Sequence, residues 1–123
     1  MEQNLIYSYT RKQAIEDGVL VDVSDMAKEA GIVHPVAVTS ATWERCVSVP
    51  DSLEGFQDED GRLWDVLWCF RIAASAKRNE EQILFHVIVR NSLKTAETVT
   101  LKAVCGPGDT HEPVLTMMLP NED

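Results

Sequence analysis

The sequence is short of basic residues, and this shortage excludes two classes of partner. It has 11 Lys and Arg against 20 Asp and Glu, which gives a net charge of −9. Binding to nucleic acid or to an anionic membrane needs a surplus of cations, so direct contact with either is not expected. The charge is compatible with a partner protein that is itself basic.

Cysteine and histidine are also scarce. The three cysteines, Cys46, Cys69 and Cys105, are too widely separated for a disulfide framework or a zinc site. Each lies in an apolar run, which is typical of a reduced, buried thiol in a cytoplasmic protein. The three histidines lack metal-ligand spacing as well. We therefore expect a cytoplasmic protein with no metal and no cofactor.

Long apolar runs are missing too. No run approaches the length of a membrane span, and the first ten residues, MEQNLIYSYT, lack the charged and apolar segments of a signal peptide. The 123 residues are enough for one domain with its own core, and 45% of them are hydrophobic. The composition therefore predicts a single globular domain, residues 1–123.

The strongest secondary-structure signal is a long helix over Asp60–Ala76, with Asp60 as its N-cap. Its apolar residues cover more of the helix circumference than the single face that is usual for an amphipathic helix. They form two stripes, one of Leu63, Leu67, Phe70 and Ala74 and another of Trp64, Trp68 and Ile72. The favoured interpretation buries both stripes, because large aromatic side chains usually pack in cores. The alternative leaves the tryptophan stripe exposed as a partner surface.

The rest of the chain divides into short helices before this one and strands after it. A brief strand-like run, Val19–Val23, and an extended stretch, Val36–Val38, also precede the long helix. Cap and glycine signals predict helices over Arg11–Asp17 and Ser24–Ala30 and a third helix capped by Ser40. Period-two patterns predict three strands, over Gln82–Arg90, Glu97–Cys105 and Pro113–Leu119. The expected class is α+β, with short N-terminal helices and one long central helix packed on a C-terminal antiparallel sheet of three or more strands.

Three stretches carry a resemblance to a known family. They are YSYTRKQAIEDGVLVDV (residues 7–23), HPVAVTSATWERCV (residues 34–47) and LKAVCGPGD followed by EPVLTMMLP near the end. The chain resembles small uncharacterised proteins of bacterial genomes, phages and plasmids that are classed only as a domain of unknown function. The resemblance implies a free-standing domain, often in mobile-element surroundings, with no catalytic residues to transfer. It makes a counter-defence or plasmid-maintenance role conceivable.

One candidate ligand site lies at the first predicted helix. Tyr7, Tyr9, Thr10 and Arg11 place two aromatic rings and a cation before free helix amides, which can hold a small phosphate or carboxylate. Tyr9 and Arg11, together with Trp43, are predicted to line a pocket between the N-terminal helices and the sheet. The competing interpretation is that the tyrosines pack on the sheet and Arg11 is solvated.

A candidate partner site lies in the polar connection from Pro50 to Asp60, which is also expected to be the most flexible loop. It carries five acidic residues that are predicted to contact a basic partner, Asp51, Glu54, Asp58, Glu59 and Asp60. The competing interpretation is that this charge only keeps the protein soluble.

Other combinations of reactive residue types are assigned structural roles. Asp17 and Asp22 could be paired carboxylates but are expected to end and begin helices. Cys105, His111 and Glu112 have the residue types of a nucleophilic site without evidence of its geometry. We therefore expect a non-enzymatic protein-interaction module, with a small-ligand-binding module or minor enzyme as the alternative. A homodimer through the central helix or a sheet edge is a third hypothesis.

Overall fold

The last of the described strands lies at the centre of a five-stranded sheet, which is consistent with the predicted three or more strands. The structure, a computed structural model, describes residues 9–77 and 80–122. Within these ranges the strands are Leu20–Asp22 (β1), Val36–Thr39 (β2), Gln82–Val89 (β3), Glu97–Pro107 (β4) and Pro113–Met118 (β5). They form one sheet in the order β1-β2-β5-β4-β3. Only β2 and β5 are parallel among the neighbouring pairs.

The helices of the described residues precede the C-terminal strands. They are α1 (Arg11–Glu16), α2 (Ser24–Glu29), α3 (Ser40–Thr42), which continues as a π-helical turn over Trp43–Val47, a 3₁₀ turn over Asp51–Leu53, and α4 (Glu59–Ala76). The predicted α+β class is confirmed. The antiparallel C-terminal meander is also confirmed, but β1 and β2 extend it. Strand β5 has buried residues on both of its faces, so both sides of the sheet are covered at this strand.

The core lies between α4 and one face of the sheet. Leu63, Val66, Leu67 and Phe70 of α4 are buried against the inward-facing residues of β3 and β4. The ring of Phe70 meets that of Phe85 edge to face, with centroids 5.6 Å apart and planes at 71°. This packing fixes α4 beside the edge strand β3 and directs the opposite face of the helix to solvent.

Two predicted helix starts are shifted along the chain. The N-cap of α4 is Asp58, whose carboxylate accepts from the Gly61 amide at 2.7 Å, and Asp60 lies inside the first turn. Thr39 caps α3 in place of Ser40. Both alternatives are good capping residues, so the sequence alone does not separate them. The predicted capping box of Thr10 and Gln13 at α1 is confirmed.

The connection predicted as the most flexible loop contains ordered structure. Its 3₁₀ turn ends at Leu53, which is buried in the core. A bridge between Glu54 and Gln57 follows the turn. The buried leucine therefore holds this acidic segment next to the start of α4.

Candidate interaction surface

The tryptophan stripe of α4 is exposed to solvent. Trp64 is 37% exposed, Trp68 39% and Ile72 57%. The favoured interpretation of the sequence, which buries this stripe, is wrong. Only one face of α4 packs on the sheet, and within the described residues α2 and the π-helical turn lie beside the helix. The described residues therefore leave the side of α4 that carries Trp64, Trp68 and Ile72 uncovered.

The two tryptophans form an ordered stack. Their ring centroids are 5.8 Å apart and their planes differ by 11°. The guanidinium of Arg71 lies over the Trp68 ring, 5.3 Å from its centroid. A Cβ on Gly31 would come within 2.8 Å of Arg71 Nε, so glycine at this position gives the guanidinium its room. Arg71, Trp68 and Trp64 therefore form a continuous column of stacked groups on the helix surface.

An open cleft joins this column to the acidic segment. The cleft has a volume of about 780 Å³, and Phe56, Asp58, Trp64 and Asp65 are among its lining residues. Phe56 is 76% exposed, which is unusual for a phenylalanine. We name Phe56, Trp64, Trp68 and Ile72 the aromatic surface. Its aromatic groups lie beside carboxylates, a combination suited to a partner that presents both apolar and cationic groups.

The predicted acidic residues are distributed around the same end of α4. Glu59 and Asp60 are exposed in its first turn, and Asp51 and Glu54 are exposed in and after the 3₁₀ turn. Asp58 has two roles: it lines the cleft, and its carboxylate caps the N-terminus of α4. Asp65, which is not among the residues of the predicted partner site, also lines the cleft further along α4.

A buried cation supports the base of the cleft. Arg62 donates to the carbonyls of Cys46 and Arg90 and to the side-chain oxygens of Gln57 and Asn91, at 2.7–3.1 Å. Burial lowers the pKa of Arg62. All four acceptors are neutral, so the charge of the guanidinium is stabilised by hydrogen bonds alone.

The residues predicted to bind a small ligand do not share one pocket. Tyr9 and Arg11 line a groove of about 540 Å³ on the side of the sheet that carries α1. Trp43 lies elsewhere, in a cleft with Met26 and Leu63 at the side of α4. The Tyr9 hydroxyl donates to Asp17 at 2.6 Å, and this hydrogen bond raises the pKa of Tyr9.

The amides proposed to hold an anion at α1 are already bonded. The carboxylate of Asp109 accepts from the amides of Arg11 at 2.8 Å and Lys12 at 3.0 Å, and Thr10 accepts from Gln13. These amide hydrogen bonds lower the pKa of Asp109. The guanidinium of Arg11 donates to Thr116 Oγ1 and the Leu115 carbonyl, both at 2.7 Å. Tyr7 lies outside the described residues.

The remaining candidate groups have structural roles. Asp17 is the C-cap of α1, and Asp22 accepts from the amide and the hydroxyl of Ser24. The Glu112 carboxylate is bonded to Thr110 within the β4–β5 turn. In residues 9–77 and 80–122, no three His, Cys, Asp or Glu side chains are grouped as metal ligands. Burial raises the pKa of Cys46 to about 11, which favours the unreactive thiol.

The comparison with protein families gives one match over the whole chain. The model of a family of unknown function, DUF6573, matches residues 1–123. The chain belongs to this family. Comparisons with curated proteins and with solved structures give no match. The family description assigns no activity, so the function of this member of DUF6573 is argued from its surface.

In the part of the chain that the structure describes, no helix combines the length and apolarity needed to cross a bilayer.

Proposed function

We propose that this member of DUF6573 is a non-enzymatic protein-binding module, and that its aromatic surface contacts a basic partner protein. The observation that carries this proposal is the exposed stack of Trp64 on Trp68. Tryptophan is the residue type most enriched among the side chains that dominate binding energy at protein interfaces. Two stacked tryptophans held by Arg71 also lose little conformational freedom when a partner binds, because the column is already ordered.

The charges around the aromatic surface indicate the chemistry of the partner. The five acidic residues of the predicted partner site and Asp65 lie at the N-terminal end of α4 or just before it. A cationic group entering the cleft would meet both carboxylates and aromatic faces. The net charge of −9 disfavours direct contact with nucleic acid, but it favours a protein that itself binds nucleic acid. A cytoplasmic role in counter-defence or plasmid maintenance would fit such a partner.

The test compares pull-downs from host lysate with wild-type protein and with Trp64→Ala/Trp68→Ala. We expect a basic protein to be retained at low salt, released at high salt, and lost with the double variant. A matched control, Val33→Ala/Leu93→Ala, removes two exposed apolar side chains elsewhere on the surface and should retain the same protein. Retention that is unaffected by loss of both tryptophans would contradict the proposal.

Tryptophan fluorescence then measures the contact with the purified partner. The chain has three tryptophans, and Trp43 is half-buried against the core. In a Trp43→Phe background, the emission reports on Trp64 and Trp68 alone. A partner that covers the stack should shift this emission to the blue, whereas an unchanged spectrum on saturation would place the binding site elsewhere.

A second candidate function is the binding of a small ligand in the groove beside α1. The observation in its favour is the groove itself, which has an apolar floor that includes Ala14 and Val114 and polar groups from Tyr9 and Arg11 at its side. Thermal-shift screening with small carboxylates and phosphates tests it. Stabilisation that Val114→Trp abolishes would favour this function over the first.

A further inference from the structure

Strand β3 is a long sheet edge without the usual protection. It has eight residues and, among the strands of the described residues, pairs only with β4, whereas β1, at the other edge, has three. Its sequence, QILFHVIV, contains no proline and no Lys, Arg, Asp or Glu. Natural proteins protect long edges with charges, prolines or bulges, because an unpaired edge recruits other strands. The structure therefore leaves β3 suited to pairing with a further strand.

Strand β3 presents backbone groups at its free edge and apolar side chains on its exposed face. The Glu81 carbonyl accepts from the Cys105 amide, so by alternation the backbone groups of Leu84, His86 and Ile88 point away from β4. On the sheet face opposite α4, Leu84 is 50% exposed and Ile88 73%. A strand added here would satisfy the backbone groups and cover both side chains.

The order of residues along β3 makes it complementary to a second copy of itself. An antiparallel pair centred on His86 places Leu84 opposite Ile88 of the other copy, on both sides of a twofold axis. In the same register, Arg90 of one copy lies opposite Gln82 of the other copy and diagonal to Glu80 of that copy. All three residues are exposed in the single chain. Apolar residues therefore meet apolar residues, and a cation meets an anion, at each end of the pair.

The flank of α4 above this edge leaves room for a second helix. Arg62 and Asp65 line a small cleft with residues 87–89 of β3 and with Arg90, so this flank of the helix faces the edge. The same flank of α4 continues from Asp65 through Cys69, Ala73 and Ala76, which follow one another at helical spacings of four, four and three residues. These three side chains are small. Small side chains let two helix backbones approach closely when the strands beneath them pair.

We propose that two copies of this chain pair through β3 in an antiparallel arrangement centred on His86, forming one continuous sheet of ten strands. The Arg62 guanidinium already binds the outward carbonyl of Arg90, so the new backbone pairing spans residues 84–88. This homodimer interface is separate from the aromatic surface, which remains exposed on each copy. It goes beyond the proposed function and does not depend on it.

Sedimentation velocity over a wide concentration range tests the dimer. The wild type should dimerise, and Leu84→Lys/Ile88→Lys should sediment as a monomer with an unchanged circular dichroism spectrum. The control Val33→Lys places a lysine at another exposed apolar position, 80% exposed, and should still dimerise. A wild type that stays monomeric at every concentration overturns the proposal. So does a dimer that the two lysines leave intact.

Crosslinking tests the position of the axis. Antiparallel partners that share hydrogen bonds have Cα atoms about 5.5 Å apart, within the range of a disulfide. His86→Cys should therefore form a covalent dimer on mild oxidation. The control Thr100→Cys lies opposite His86 on β4, one strand further from the axis, and should not crosslink. Equal crosslinking of both variants would overturn the assigned arrangement.

A charge exchange tests the predicted ion pair. Arg90→Glu and Glu80→Arg should each weaken dimerisation several-fold, because each places like charges at both ends of the pair. The double variant Arg90→Glu/Glu80→Arg should recover most of the loss. Additive losses in the double variant would contradict the proposed register.

Discussion

At the scale of single residues, Arg62 joins four segments of the chain through one buried guanidinium. Arg62 itself lies in α4, and its acceptors lie in the π-helical turn, the acidic connection and the segment directly after β3. The described residues contain no buried side-chain polar atom that lacks a partner. Removal of this guanidinium would leave several oxygens without a donor at once, which is costly where water cannot replace it.

We predict that Arg62→Met lowers the free energy of unfolding by about 3 kcal/mol, because methionine keeps the apolar stem but donates no hydrogen bond. Urea denaturation monitored by circular dichroism measures this change. The control Arg45→Met removes an exposed arginine that is 3.6 Å from Glu97 and should cost less than about 0.5 kcal/mol. Similar losses for both variants would show that the buried network is not stabilising.

Single residues also show where sequence reasoning succeeds. Thr10 and Gln13 form the predicted capping box because both partners lie within one turn of the chain. The role of Asp109 at α1 could not be predicted, since the two are brought together only by the fold. The exposure of Trp64 and Trp68 was missed for a related reason. Helical periodicity identifies an apolar face, but it does not say whether another element covers that face.

At the scale of elements, Asp109 connects helix α1 to the turn between β4 and β5. The carboxylate has a pKa below its ordinary value in the folded protein, so folding favours its charged form. Its contribution to stability is therefore present above the ordinary aspartate pKa of about 3.9 and is lost as the pH falls through the lower pKa of the folded state.

We predict that Asp109→Ala destabilises the protein at pH 7 and that the difference from the wild type shrinks in acid. Chemical denaturation of both proteins at pH 7 and at about pH 3 measures this, since the wild-type carboxyl is increasingly protonated at the lower value. Asp51→Ala, at an exposed position in the 3₁₀ turn, is the control and should have little effect at either pH. A pH-independent difference for Asp109→Ala would assign its role to packing.

The elements themselves could be predicted to different extents. The long helix and the C-terminal hairpins have strong local periodicity, and their approximate bounds follow from it. Strands β1 and β2 are too short to show a clear period, and the pairing of β2 with β5 is determined by contacts distant in sequence. The apolar residues on both faces of β5 indicate that both sides of the sheet are covered there, but they do not identify its neighbouring strands.

At the scale of the whole molecule, the sheet depends on its C-terminal strand. Strand β5 separates β2 from β4, so its removal would expose buried residues of both and leave two incomplete sheets. We predict that a chain ending before Pro113 shows no cooperative thermal unfolding. A chain ending at Leu119 keeps every described strand and loses the Glu122 contact with Thr39, so it should still unfold cooperatively at a lower temperature. Cooperative unfolding of the shorter chain would contradict this.

The central position of β5 has a consequence for the time at which the protein folds. During synthesis, β1, β2 and the helices leave the ribosome before the strand that joins them to the rest of the sheet. The native core therefore cannot close until β5 has also emerged from the ribosome. For that interval the apolar face of α4 and the inner face of β3 are accessible to chaperones and proteases.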